Sequence, residues 1–263
     1  MINIKYFGYN GQKMSFDNKV VIVTGASSGI GAATAKLFTK EGANVVMVGR
    51  NETKLQNVSS ACGKIGKAPL VVKADVSKDA DVKRIIDHTI KKYGKLDILI
   101  NNAGLGRVGP IADGKIMDTY DEIMNVNLKA VVHLTALAAP YLTITQGSIV
   151  NVSSVAGSLT PTSIFQIYAT SKAALNHFSR GAALELAKSG VRVNVVSPGP
   201  VDTDFVENAG LQISIDAFVK QLPLPRVTES EEIADLILYL SSEKAKGITG
   251  SNFVSDNGTM LKA

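Results

Sequence analysis

What this chain has little of narrows its possibilities first. Its 263 residues include one cysteine, Cys62, no tryptophan and three histidines. A lone thiol builds no disulfide framework within one chain, which suits a reducing compartment, so a cytoplasmic location is expected. His88, His133 and His177 stand apart in helical patterns with no cysteine or carboxylate cluster beside them, so no metal site is expected. Runs of basic residues and basic/aromatic ladders are lacking too. The net charge of +5 reads as a mildly basic solvated surface, and no nucleic-acid partner is expected. No apolar stretch approaches the roughly 18–20 residues a membrane helix needs, so no membrane span is expected. Met1–Met14 has two lysines but no apolar core of a signal peptide. It reads as a loose N-terminal tail, with Met14 a candidate alternative start.

What is present is a regular alternation. From Lys19 onward, short β-branched runs alternate with helical patterns. The strand candidates are Val20–Val23, Val45–Val48, Leu70–Lys73, Leu96–Ile100, Ser148–Val152, Val191–Val196 and Asn252–Ser255. Most are continuous apolar runs, the signature of parallel strands buried on both faces. The helical stretches between them are Gly29–Glu41, Thr53–Cys62, Ala80–Tyr93, Tyr120–Leu142, Ile167–Lys188 and Ser230–Leu240. This order predicts an α/β architecture: one doubly wound parallel sheet with helices on both faces. With no repeat, low-complexity tract or Pro/Gly linker, residues 15–263 are expected to form a single domain. Pro198–Thr228 has no clear element and is long for a connector, as lids and binding loops are.

Ligands of such sheets bind beyond the carboxyl ends of the strands. The first strand runs into Thr24-Gly25-Ala26-Ser27-Ser28-Gly29-Ile30-Gly31 and then a helix. Glycines there allow a tight turn, close approach of a pyrophosphate and close helix–strand packing. The helix N-terminus adds free N–H groups for phosphates. The spacing is Gly-x-x-x-Gly-x-Gly, which alone also fits a mere strand–helix turn. The second strand ends in Gly49-Arg50-Asn51, without the acid that holds the ribose 2′-hydroxyl in NAD-binding folds. A guanidinium there can bind a 2′-phosphate, so NADP(H) is the expected cofactor. The plain alternative is a surface arginine. After the third strand, Asp75 precedes Val76 and either accepts from an adenine amino group or helps to cap the next helix.

Tyr168 and Lys172 stand one helical turn apart. A phenol ionises near pH ~10, high for acid/base work, and a neighbouring ammonium is expected to lower it. An isolated Tyr-x-x-x-Lys means little. Here Ser153-Ser154 ends one strand and Asn101-Asn102-Ala103-Gly104 another, both where a ligand belongs.

Together these segments resemble the short-chain dehydrogenase/reductase family, in particular its carbonyl, tropinone and 3-oxoacyl reductases. The resemblance spans Ser15 to about Gly258 and rests on Thr24–Gly31, Asp75, Asn101–Gly104, Asn127, Ser154, Tyr168/Lys172, Pro198–Thr203 and Ile248-Thr249-Gly250. It implies a Rossmann fold and a catalytic tetrad. Tyr168 is then the proton donor, Ser154 the carbonyl anchor, Lys172 the pKa modulator and ribose ligand, and Asn127 the holder of a water relay. It implies cofactor contacts from Gly25, Ser27, Ser28, Gly29, Ile30, Gly31, Arg50, Asp75, Val76, Asn102, Ala103, Gly104, Tyr168 and Lys172. The segment with Pro198, Gly199, Val201 and Thr203 becomes a clamp on the nicotinamide carboxamide. One departure is that Ser154 precedes Tyr168 by fourteen positions, one more than the family's commonest spacing. The loop Val155–Gln166 is expected to absorb it.

The flanking loops are apolar: Leu105, Val108, Leu159, Pro161, Ile164 and Phe165, with Phe205, Val206, Leu211, Ile213, Phe218, Leu222 and Leu224 from the lid. They point to a hydrophobic carbonyl or secondary alcohol, such as a steroid, isoprenoid or aromatic ketone. The alternatives are a 3-oxoacyl-thioester reductase and a nucleotide-binding sensor without catalysis. Small residues on the Tyr120–Leu142 and Ile167–Lys188 helices, with the family's habit, imply a homo-oligomer, a tetramer or dimer.

Overall fold

The computed structural model describes residues 15–114, 116–160, 163–210, 219–220 and 222–261. The expected N-terminal tail and the expected pocket residues Pro161, Leu211, Ile213 and Phe218 lie outside them. Strands β1 Val20–Thr24, β2 Asn44–Gly49, β3 Leu70–Lys73, β4 Ile98–Asn101, β5 Ser148–Val152, β6 Arg192–Pro198 and β7 Asn252–Ser255 form one sheet. Every pairing is parallel, in the order β3-β2-β1-β4-β5-β6-β7. All seven strands stand where the apolar runs predict them. β4 starts at Ile98 rather than Leu96, with Asp97 standing just before it. Its carboxylate accepts from the Val20 N–H at 2.8 Å and pairs with Lys95 at 2.9 Å, bracketing the sheet's entrance.

The two faces divide by alternation along the strands. Val21 and Val23 pack under α1 Gly29–Lys40, α2 Glu52–Gly63 and α8 Ser230–Ser241, with Phe38, Leu55, Ile233 and Ile237. Val20 and Ile22 pack on the other side with Val82, Ile85, Leu134, Ala138 and Ala182, from α3 Asp79–Tyr93, α5 Ala130–Thr145 and α6 Gln166–Leu186. Burial at ~1.5–3 kcal/mol per large apolar side chain makes this alternation the main determinant of register.

The expected helix Tyr120–Leu142 is longer and broken in character. It runs as α4 Ile116–Met124, a π-helical segment Asn125–Lys129, and α5. The widened turn aims Asn127 inward, a common use of such bulges. This corrects one expectation: Ile116–Thr145, taken as one helix, is long and apolar enough by length and composition to cross a membrane. In the structure Leu134, Ala138 and Leu142 of this stretch are buried against the sheet. The long connector after β6 holds a short helix, α7 Phe205–Asn208. Its ends are tied by a parallel bridge between Val201 and Thr228.

Candidate active site

The sheet order reverses between β1 and β4, and a cleft of about 1200 Å³ opens at the carboxyl edge there. One end is built by the β1–α1 turn. Gly25 and Gly29 hold φ of +67° and +51°, where a side chain is strained. A Cβ on Gly25 would lie 2.7 Å from Asn102 Nδ2. Ser28 is the N-cap of α1 but makes no side-chain cap bond, so the helix start faces the cleft with its N–H groups available. Gly25, Ser27, Ser28, Gly29 and Ile30 all line it, with Arg50 exposed at the end of β2 and Asp75 and Val76 after β3. Gly31 does not. A Cβ there would collide with the Gly25 carbonyl, so this glycine serves helix–strand packing. Asp75 Oδ1 accepts from the Ser77 N–H at 3.0 Å and the Ser77 hydroxyl at 2.8 Å, a local turn ahead of α3.

The turn is fastened to the end of β4 by Thr24, which the sequence reading passed over. Its hydroxyl accepts from the N–H groups of Asn102 at 2.9 Å and Ala103 at 3.0 Å, and donates to the Ile100 carbonyl at 3.2 Å. Asn102 Nδ2 donates back to the Thr24 carbonyl at 2.9 Å. Read singly, a threonine ending a β-branched run carries no such signal.

At the other end α6 presents Tyr168 and Lys172, both buried. Burial dominates the phenol, pushing it up to about 12, with a hydrogen bond to Ser154 opposing. Burial also draws the lysine down to about 8. The expectation that Lys172 pulls Tyr168 below its usual range is therefore corrected. The ammonium lies 5.7 Å from the ring centroid and donates to the Val152 carbonyl at 2.9 Å, and burial sets the direction of the phenol's shift. Ser154 is half-buried, lines the cleft and caps the short turn Val155–Gly157 in the loop that carries the extra residue. Ser153 turns inward, its hydroxyl donating to the Lys172 carbonyl at 3.3 Å. Asn127 is fully buried behind the cleft and does not line it. Its Oδ1 accepts from the Leu105 N–H at 2.8 Å, and its Nδ2 donates to the Leu105 carbonyl at 2.9 Å and the Ser171 hydroxyl at 3.0 Å.

Pro198, Gly199, Val201 and Thr203 form the facing wall with Asn102, Ala103 and Gly104 opposite. Of the expected apolar residues, Leu105, Leu159, Phe165, Phe205 and Leu222 line the cleft, whereas Val108, Ile164 and Leu224 do not. The last two are among the exposed apolar side chains. Arg107 is a second residue the sequence reading missed. Its Nη1 donates to the Asn208 and Gly106 carbonyls, and its Nε and Nη2 bind Glu122 at 3.2 and 3.0 Å.

Residues 25–260 match a protein family described as enoyl-(acyl carrier protein) reductase. The chain is 36% identical over 250 residues to the 3-oxoacyl-[acyl-carrier-protein] reductase of Thermotoga maritima, covering 94% of this chain and 100% of that protein. It is 36% identical to the meso-2,3-butanediol dehydrogenase of Serratia marcescens, with 93% and 96% covered. The structure of a short-chain dehydrogenase/reductase of unknown function from Caenorhabditis elegans superimposes with a TM-score of 0.88 at 36% identity, covering 94% and 96%. The chain is a short-chain dehydrogenase/reductase.

Members of this family are oxidoreductases that interconvert carbonyl and alcohol groups with a nicotinamide cofactor, and the residues of this short-chain dehydrogenase/reductase fit that group. The glycine turn leaves its backbone accessible, the start of α1 faces the cleft, and the cleft runs from Arg50 to Tyr168.

Proposed function

We propose that this enzyme uses NADP(H) to interconvert a carbonyl and a secondary alcohol on an apolar small molecule. One observation carries the reading. Tyr168, Lys172 and Ser154 meet at the apolar end of a cleft whose other end holds the glycine turn and Arg50, which stands directly after β2 in place of an acid. Gly25, Ser27, Ser28, Gly29 and Ile30 would hold the pyrophosphate, Arg50 the 2′-phosphate, and Asp75 and Val76 the adenine side. Asn102, Ala103, Gly104, Tyr168 and Lys172 would flank the inner ribose, and Pro198, Gly199, Val201 and Thr203 the carboxamide. When bound, the cofactor supplies or takes up the hydride.

The chain's own residues handle the proton. With its pKa pushed up to about 12, Tyr168 is protonated at neutral pH and ready to donate to the carbonyl oxygen. Ser154 holds that oxygen by its hydroxyl. Lys172, drawn down to about 8, is still mainly charged at neutral pH and stabilises the phenolate left behind. Asn127 keeps Leu105 and α6 in register from behind.

Steady-state turnover of NADPH and NADH on apolar ketones, with Tyr168→Phe as control, tests the reading. NADPH-driven reduction that collapses in the variant supports it, and equal use of NADH refutes the cofactor assignment. A 3-oxoacyl-thioester reductase is the second reading, favoured by the likeness to the Thermotoga maritima protein. Turnover of an acyl thioester but not of the free ketone selects it. A sensor binds cofactor and turns over neither.

The same reading extends to the whole molecule. Residues 15–263 act as one domain, and the single buried thiol, Cys62, suits the cytosol. Val132 on α5 and Leu184 on α6 are exposed and would be covered in a homo-oligomer. A size-exclusion peak at monomer mass refutes that assembly.

A further inference from the structure

The approach to the reactive phenol is closed by two other rings. Tyr168 lines the cleft yet is only 7% exposed. The Phe165 ring lies 4.6 Å from it, centroid to centroid, and the Phe205 ring 5.2 Å, with Phe165 and Phe205 edge to face at 6.2 Å. Gly106 stands where the two phenylalanine tips converge. A Cβ there would lie 2.6 Å from Phe205 Cζ and 3.1 Å from Phe165 Cζ. A substrate carbonyl that reaches Tyr168 therefore brings the group beside it against these rings.

The two phenylalanines are not held alike. Phe165 is 6% exposed and adjoins a helix of 21 residues, its carbonyl accepting from the Ala169 N–H at 3.1 Å. Phe205 is half-buried at the head of a helix of four residues. That helix is tethered at its start by the Thr203 hydroxyl, which accepts from the Phe205 N–H at 3.3 Å, and at its end by Arg107. Phe205 is the less firmly held of the two. Its place is bounded by Tyr168 and Phe165, and Leu105, Ala156 and Leu159 also line this cleft. Arg107 is already engaged by Glu122 and two carbonyls, so it offers no anchor for an anionic substrate.

We infer that the substrate carries a flat aromatic ring beside its carbonyl and that Phe205 selects it. The incoming ring takes the place of Phe205 against Tyr168 and Phe165, and Phe205 closes on its edge. Aromatic pairs favour tilted and edge-to-face contacts that a saturated ring of equal size does not make. This rests on the carbonyl-reducing reading above and adds the class of ketone.

The test compares acetophenone with cyclohexyl methyl ketone under saturating NADPH in the wild type, Phe205→Leu and Gly106→Ala. Taking the ratio of kcat/KM values within each protein, and then between proteins, cancels the intrinsic reactivity of the ketones. The wild-type preference for the aryl ketone is expected to exceed that of Phe205→Leu by about 2- to 10-fold, the worth of an aromatic pair. Gly106→Ala, which pushes the Phe205 tip aside while keeping the ring, is expected to fall between them. The same ratio in wild type and Phe205→Leu overturns the inference. Should neither ketone turn over although NADPH binds, the proposed function fails, and binding decides the inference separately. Ligand-detected NMR of 1-phenylethanol against 1-cyclohexylethanol then shows an aryl preference lost in Phe205→Leu, or refutes it.

Discussion

The two ends of the cleft are built by different means. At the glycine end, neighbouring strand termini are fastened through main-chain groups. Thr24 and Asn102 join the turns after β1 and β4 by hydrogen bonds of 2.9–3.2 Å, and Thr24 is buried. At the phenol end, the walls come from the loop after β5 and the connector after β6, held by side chains that reach across. Arg107 ties α4 to α7, and Lys54 pairs with Asp204 at 2.7 Å, both partners well exposed. The Lys54 ammonium, with the Ser28 hydroxyl adding to it, holds the Asp204 carboxyl below its usual range, which places this part of the connector beside the glycine turn. A common cofactor needs an unvarying seat, which strand ends supply. A particular substrate needs a wall that opens, and loops with solvent-exposed tethers supply that.

Breaking the phenol end at its chemistry gives the largest effect. Tyr168→Phe removes the proton donor, and kcat is expected to fall by about 10²–10⁴-fold, the range for a positioned general acid. NADPH affinity, measured by nucleotide fluorescence, should stay within a few-fold. Equal losses in both would show that the substitution damages the cleft.

The next effect strikes the glycine end. Thr24→Val keeps the shape of the side chain but leaves two backbone N–H groups without their acceptor, at a cost of ~1–3 kcal/mol. Calorimetry should record a lowered Tm and titration a weaker NADPH complex. A variant as stable as the wild type would mean that the hydroxyl is dispensable there.

The pH dependence sharpens the contrast further. Lys172, drawn down to about 8 by burial, is charged below that value and neutral above it. Ketone reduction is expected to hold to about pH 8 and decline above it, and Lys172→Met should lack this alkaline limb. Folding responds in the opposite sense. Between about 8 and the usual 10.5 the unfolded lysine keeps a proton that the native one has released, so stability rises with pH. Between 10 and about 12 Tyr168 reverses the trend, because the unfolded phenol ionises first.

The smallest effect belongs to the tethers. Arg107→Met and Asp204→Asn remove exposed pairs worth ~0–1 kcal/mol. Arg107→Met is expected to raise the KM for ketone about 2- to 5-fold with little change in Tm. A large loss of stability instead would make Arg107 part of the fold rather than of the lid.

Much of this was legible in the sequence. Seven candidate runs became seven parallel strands, most of them legible because a strand buried on both faces shows its burial in nearly every residue. The glycine turn, the Ser153-Ser154 pair, Tyr168 and Lys172 stood out as candidates because the fold sends strand ends to one edge, and the family resemblance singled out Ser154 among them. Arg50 stood out as a candidate through the acid missing beside it. Three things stayed hidden until the chain was folded. The roles of Thr24 and Arg107 arise from partners 76–79 and 101 positions away. At Gly31 the Gly25 carbonyl occupies the place of the missing Cβ, a contact that spacing does not show. The raised pKa of Tyr168 was not legible either, because one helical turn reveals the ammonium but not the burial of the phenol. Local spacing thus determined which groups this enzyme has at its cleft, and tertiary packing alone decided how dry they are, since desolvation depends on neighbours brought from across the chain.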